Sequence, residues 1–152
     1  DANRIGWAGL EIGVLIAAVL GTAVYLLREP LVGLYTRDPV IVAAALPLLA
    51  WVVLFHIADA AHTIAAFVLR AHRIAVVPLL IYVFAIWVIG LGGGYVVVFV
   101  LDAGPAWLRG AQGFWSMSTL GVGLAAVCLV GFLGWLLLGR RAVRAQEAGA
   151  TG

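Results

Sequence analysis

Residues 44–70 read AALPLLAWVVLFHIADAAHTIAAFVLR, and this stretch decides the fold of the chain. It is apolar over enough length to cross a bilayer, because a helix needs ~20 apolar residues to span the hydrocarbon core. Asp59 is its only acidic residue and lies well inside it, before the charged end at Arg70. A carboxylate near the middle of a bilayer is costly and normally faces a cavity or a polar partner. The stretch therefore predicts a membrane helix with a functional acidic residue.

The composition of the whole chain indicates an integral membrane protein. Of its 152 residues, 65% are hydrophobic and 11% are charged, whereas a soluble domain carries about 25% charged residues. The formal net charge of +2 is too small for a nucleic-acid-binding protein. Cys128 is the only cysteine, so no disulfide forms within the chain. The chain opens on Asp1 without a signal-peptide pattern, which predicts a piece of a longer protein.

Four segments are predicted to cross the membrane, which places the chain in the all-α class of membrane proteins. The breaks between them contain charged residues and turn formers. Asp38 followed by Pro39 is typical of a helix start, with the carboxylate as cap and proline at the first position. The short stretch 31–35 is predicted to be an interfacial half-turn. The four predicted spans are 5–27, 39–69, 74–101 and 112–139, and residues 140–152 form a predicted cytoplasmic tail.

The positions of the arginines predict the orientation, because cytoplasmic loops carry an excess of basic residues. On one side of the membrane the charge is almost entirely basic, and on the other side acidic residues partly offset it. Both termini are therefore predicted to lie in the cytoplasm. All nine cationic residues are arginine, which favours a GC-rich bacterial genome, and the predicted location is the bacterial inner (plasma) membrane. The cytoplasmic arginines are Arg4, Arg70, Arg73, Arg140, Arg141 and Arg144; the opposite loops hold Arg28, Glu29, Arg37, Asp38, Asp102 and Arg109.

A polar face is predicted around Asp59 on the second span. At about 100° per residue, His56 and His62 fall about 60° to either side of Asp59, and Thr63 falls about 40° away. Lipid cannot satisfy these groups, so the face must look into the protein or into water. Asp59 is the predicted cation or proton site, with the other three as neighbours or as packing residues. A zinc site is disfavoured, because zinc ligands usually come from more than one element.

Small residues predict close contacts between helices. Gly9, Gly13, Ala17 and Gly21 recur every four residues along the first span, as in membrane helices that pack closely. In the third span, the glycines at 92–94 are expected to weaken helical order, and a proline at position 78 is expected to kink the helix. No nucleophile–base pair is present, and GLGGGY lacks the following helix start of a dinucleotide site. The chain is therefore predicted to be neither an enzyme nor a cofactor-binding protein.

Several motifs, in order, resemble the multidrug and toxic compound extrusion (MATE) transporters, in their NorM-like branch. LYTRDPVIV at 34–42 opens a long helix, and Asp59 is followed at the family's spacing by Leu69 and Arg70. The third span carries W-x-x-G-L-x-x-G-Y at 87–95, and GAQGFW at 110–115 resembles the start of the last helix. Each motif is loose, but their order and spacing are specific, and the resemblance covers nearly the whole chain.

The resemblance implies a fold, a function and a set of site residues. Family members have two pseudo-symmetric bundles of six helices, and this chain matches the last four of the twelve. It would be part of a secondary antiporter that exports cationic or amphipathic drugs and toxic compounds in exchange for Na⁺ or H⁺, with Asp59 as the coupling-ion site. Phe55, Tyr82 and Trp87 are candidates for the substrate cavity. His56 stands where the family often has glutamine, which leaves the coupling ion open.

Two other functions remain open. A related exporter of lipid-linked substrates would share the architecture, and its cavity would be expected to carry more basic residues. A stand-alone four-helix membrane module would use the small residues of the first span to bind partner proteins. Drug-dependent efflux distinguishes the first alternative, and the length of the native protein distinguishes the second.

Overall fold

A computed structural model describes the backbone of residues 2–101 and 104–150 and the side chains of residues 4–101 and 104–137. Within these ranges all regular secondary structure is helical. Four helices are long and apolar enough to cross a membrane, which confirms the predicted all-α class and the number of spans. The four spans are Arg4–Leu26, Pro39–Ala71, Val76–Leu101 and Gly110–Leu137. The arginines predicted for the tail and the aspartate of the 102–109 loop lie outside the described side chains.

The first span belongs to helix α1, Ala2–Leu26, and a short helix α2, Arg28–Tyr35, follows it. The prediction of a half-turn at 31–35 was too short, because α2 makes two turns. Arg28 stabilises the junction: its guanidinium donates a hydrogen bond to the Tyr25 carbonyl at 2.7 Å and lies 4.1 Å from the centre of the Tyr25 ring. This bond satisfies one of the carbonyls that the end of α1 leaves without a helical partner.

The second span is helix α3, Pro39–Ala71, and its start is fixed by the residue before it. The Val40 N–H donates to the Asp38 carboxylate at 2.8 Å, and Pro39 occupies the first helical position. This confirms the predicted cap. At 33 residues α3 is about 50 Å long, which exceeds the ~30 Å hydrocarbon core. It ends at Ala71, and two residues further on Arg73 has a backbone φ of 63°, in the left-handed region.

Removing the Asp38 cap is expected to destabilise the start of α3. Asp38→Ala leaves the Val40 N–H without its acceptor, and loss of such a cap costs about 1 kcal/mol. Thermal unfolding of the full-length protein in detergent should show a lower melting temperature for Asp38→Ala. Asp38→Asn keeps a capping oxygen and should unfold close to the wild type. Equal melting temperatures for the alanine and asparagine variants would contradict a capping role.

The third span changes helix type along its length. Helix α4, Val76–Phe84, continues into a π-helical segment, Ala85–Gly92, then into the short helix α5, Gly93–Tyr95, and a second π-helical segment, Val96–Leu101. Helical order therefore persists through the three glycines, although its geometry departs from the α-helix. Pro78 is buried and lies in the first turn of α4. A backbone N–H at this position has no helical acceptor, so the proline removes no helical hydrogen bond and the expected kink has no physical cause.

The fourth span lies in helix α6, Gly110–Ala150, after a 3₁₀ turn at Ala106–Leu108, and it packs against the second and third spans. It contributes Leu129, Leu133 and Leu137 to a cluster of buried residues, which also includes Leu69 of α3. The backbone continues as helix through most of the predicted tail. The packing fixes α3 and the third span against one common helix.

Small residues of α1 make contact with α3, and Gly13 and Gly21 of the predicted row are among them. A Cβ added to Gly13 or to Gly21 would clash with Ile64 or Val53 of α3, respectively. Among the described residues, nothing lies within 4 Å of the position that a Cβ on Gly9 would take, so Gly9 is not part of this contact with α3. Gly6 takes that place instead, where a Cβ would lie 3.1 Å from Val68.

Candidate functional site

Asp59 lies in the interior of α3, with its side chain 38% exposed. His62, one turn further along the same helix, lies close to its carboxylate. The distance between Asp59 Oδ1 and His62 Nδ1 is 4.0 Å, which is too long for a hydrogen bond. The two side chains therefore face each other across a gap within the membrane-spanning part of α3.

His62 is buried, and it packs against the third span. Its ring stacks on the ring of Tyr82 in α4, with ring centres 4.4 Å apart and planes 18° from parallel. In the part of the chain that the structure describes, neither ring nitrogen of His62 has a hydrogen-bond partner. Most buried polar atoms are hydrogen-bonded, so this imidazole stands out as a group that lacks its partner.

The predicted polar face is divided in the structure. His62 is buried, Asp59 and Thr63 are half-buried, and His56 is exposed. The division follows the packing, because the side of α3 that includes His62 is covered by neighbouring helices. The structure therefore brings together Asp59, His62 and Tyr82, and it leaves His56 outside this cluster.

Phe55 lies one turn from Asp59 and forms part of an aromatic cleft. Its ring meets the ring of Trp115 edge to face, with centres 5.7 Å apart. The cleft has a volume of about 280 Å³ and is lined by Phe55, Ile86, Phe114, Trp115 and Ser118. Sequence analysis missed Trp115 and Phe114 as cleft residues. The fourth span carries them, and nothing in their spacing indicates which neighbour they face.

The other predicted cavity aromatics lie in different surroundings. Tyr82 is the stacking partner of His62. Trp87 is 66% exposed and lines a separate apolar groove of about 740 Å³ between the third and fourth spans, where Phe84 and Cys128 also lie. The groove that Trp87 lines shares no lining residue with the aromatic cleft beside Phe55.

The fold and the site together define a multi-pass membrane protein with an ionisable group inside one of its spans. The profile of the MatE family matches residues 1–96, which is more than half of the chain. The chain belongs to this family, and the resemblance to the MATE transporters is confirmed. No solved structure gives a significant match to the chain.

Curated relatives carry the NorM and MdtK names. The probable multidrug resistance protein NorM of Aromatoleum aromaticum is 35% identical over 134 residues, which cover 88% of this chain and 27% of the relative. The NorM protein of Neisseria meningitidis serogroup A is 32% identical over 97% of this chain, and the MdtK protein of Pectobacterium atrosepticum is 36% identical over 86% of it. The chain spans less than a third of the length of these relatives.

Proposed function

We propose that this chain is part of a secondary antiporter that exports cationic or amphipathic compounds in exchange for Na⁺ or H⁺. The observation that carries the proposal is the half-buried carboxylate of Asp59 inside a membrane span, beside the buried imidazole of His62, which has no hydrogen-bond partner among the described residues. An ionisable group in a span marks an ion or substrate pathway more often than a packing contact. The relatives named as multidrug resistance proteins support the same class of function.

Binding of the coupling ion would act through the charge of Asp59. The free carboxylate is negative, and a bound Na⁺ or H⁺ neutralises it. If the outward-facing and inward-facing states bind the ion with different affinities, binding shifts the equilibrium between them. The remaining helices of the transporter would supply the second bundle and the rest of the cavity. No enzyme activity, organic cofactor or further metal is part of this proposal.

The substrate would be held partly by aromatic side chains. A cation is attracted to the face of an aromatic ring, and the cleft beside Phe55 and Trp115 offers such rings one turn from Asp59. Tyr82 contributes by packing against His62. Trp87 lies on the separate groove and is the weakest of the predicted substrate contacts.

The transporter is proposed to lie in the bacterial inner membrane with both termini in the cytoplasm. Arg70 ends α3 and its guanidinium lies 5.4 Å from the centre of the Phe67 ring, while Arg73 lies in the turn that follows. Basic residues at this end of the span are expected to remain on the cytoplasmic side.

The proposal is tested with membrane vesicles from cells that make the full-length protein. Vesicles loaded with ethidium, an aromatic cation, should release it when an opposing Na⁺ or H⁺ gradient is imposed. An ionophore that collapses the gradient should stop the release, and vesicles from cells without the gene provide the background. Release that continues at the same rate after both gradients have collapsed would rule out ion-coupled antiport.

A further inference from the structure

Helix α2, Arg28–Tyr35, carries a stripe of large apolar side chains that are largely exposed. At about 100° per residue, the four members of the stripe fall within about 100° of one another around the helix axis. Leu34 is 81% exposed, Tyr35 is 90% exposed, and the N-cap residue Leu27 is 53% exposed. Leu31 is the fourth member and is half-buried. Apolar side chains gathered on one face of a surface helix indicate a partner that buries them.

The other sides of α2 have different surroundings. Val32 is buried, and α2 contacts both α1 and α3. Around the helix axis, Val32 lies about 110° from the centre of the stripe, and Glu29 lies about 170° from it. The Glu29 side chain is exposed. A helix that lies flat on a membrane beside its own bundle meets protein on one side, lipid below and water above, and the three sides of α2 fit these three surroundings.

The neighbouring spans fix the height of α2 relative to the membrane. The first span ends at Leu26, and α2 begins at Arg28. The second span begins at Pro39, four residues after Tyr35. The helix is about 12 Å long, so both of its ends stay close to the level at which the spans leave the bilayer. The hydrogen bond from Arg28 to the Tyr25 carbonyl adds to this tether. α2 therefore lies at the boundary between hydrocarbon and water.

We propose that α2 is an interfacial helix that docks its apolar stripe into the adjacent lipid leaflet, at the boundary between headgroups and acyl chains. Interfacial helices bury their apolar face about 5–10 Å into this region. Tyrosine suits this depth, because its ring is apolar while its hydroxyl reaches water. None of the four stripe residues is charged. The docked helix holds the start of α3 at a fixed depth, whichever compound is transported and whichever ion is coupled.

Spin labels on α2 of the full-length protein, reconstituted in liposomes of phosphatidylethanolamine and phosphatidylglycerol, test the docking. Cys128→Ser removes the only cysteine of this chain, and cysteines elsewhere in the full-length protein are replaced in the same way. Oxygen concentrates in hydrocarbon and a nickel chelate stays in water, so the logarithm of the ratio of their relaxation effects reports the surroundings of each label. This logarithm should be positive for labels at Leu34→Cys and Tyr35→Cys and negative for the matched label at Glu29→Cys.

A measurement on the native sequence covers the case in which the cysteine-free protein does not fold. Liposomes that contain a phospholipid with a photoreactive diazirine near the start of its acyl chain are illuminated, and the protein is digested with trypsin. Cleavage after Arg28 and after Arg37 releases the peptide 29–37. Mass spectrometry should find lipid adducts in this peptide at Leu31, Leu34 or Tyr35, and none at Glu29.

Three results would overturn the docking. Labels at Leu34 and Tyr35 that favour the chelate would place the stripe in water. Labels there that neither reagent reaches would show that the rest of the transporter covers the stripe. The third is a peptide 29–37 without adducts in a digest whose membrane-spanning peptides carry them.

Discussion

Replacing Asp59 with asparagine is expected to reduce ion-driven efflux to the background of cells without the transporter. The amide has almost the size of the carboxylate, so packing around α3 should survive. It carries no negative charge, however, and cannot be neutralised by a bound ion. Since an ion shifts a conformational equilibrium only through its different affinities for the two states, loss of ion binding removes the driving force for export.

The matched control for this prediction is Glu11→Gln. Glu11 is an acidic residue in another span, and its side chain is exposed in the structure. The same acid-to-amide change there should leave efflux near the wild-type rate. Vesicle assays of both variants should be normalised to the amount of protein in the membrane. Efflux by Asp59→Asn that still follows the ion gradient, at a rate close to that of Glu11→Gln, would exclude Asp59 as the coupling site.

The features that could be predicted from the sequence are those fixed by near neighbours in the chain. The cap of α3 depends on Asp38, Pro39 and the Val40 N–H, which are consecutive, and the structure confirms it. The four spans follow from the length of apolar segments, which needs no knowledge of tertiary contacts. The half-turn prediction at 31–35 fell short because a two-turn helix in a loop has too few residues to show a clear period.

Features that depend on how helices meet were only partly predictable. A strict repeat of four residues drifts about 40° per step around a helix, so a row from Gly9 to Gly21 cannot face one neighbour throughout. The row that contacts α3 runs through Gly6 and Gly13 to Gly21. In the same way, the polar positions on α3 could be placed on one side of the helix, but the burial of His62 depends on Tyr82 in another span.

The π-helical segments of the third span have no comparable signal in the sequence. Each π turn holds more residues than an α turn, and such segments are often found at functional sites. Here the first segment begins at Ala85, close to the residue that stacks on His62. Gly93 and Gly94 allow the third span to approach Met117 and Phe114 of α6. The glycines expected to weaken the helix thus serve mainly as a contact surface.

Replacing Gly121 with alanine is expected to destabilise the contact between α6 and the third span. An added Cβ would clash with the carbonyl oxygen of Ala85 and lie 3.2 Å from its carbonyl carbon. These are backbone atoms, so no side-chain rotation relieves the clash, and the two helices must move apart. Overpacking of this kind costs roughly 1–3 kcal/mol.

Gly123→Ala separates this clash from the intrinsic effect of the substitution. Gly123 lies two residues further along α6, and no described residue comes within 4 Å of the position of its added Cβ. Alanine favours a helix over glycine by about 1 kcal/mol, so Gly123→Ala should unfold at or above the wild-type temperature. Gly121→Ala receives the same helical benefit, and any lower melting temperature of the full-length protein in detergent therefore measures the contact with Ala85. If the two variants unfold at the same temperature, the third span does not approach α6 as closely as the structure describes.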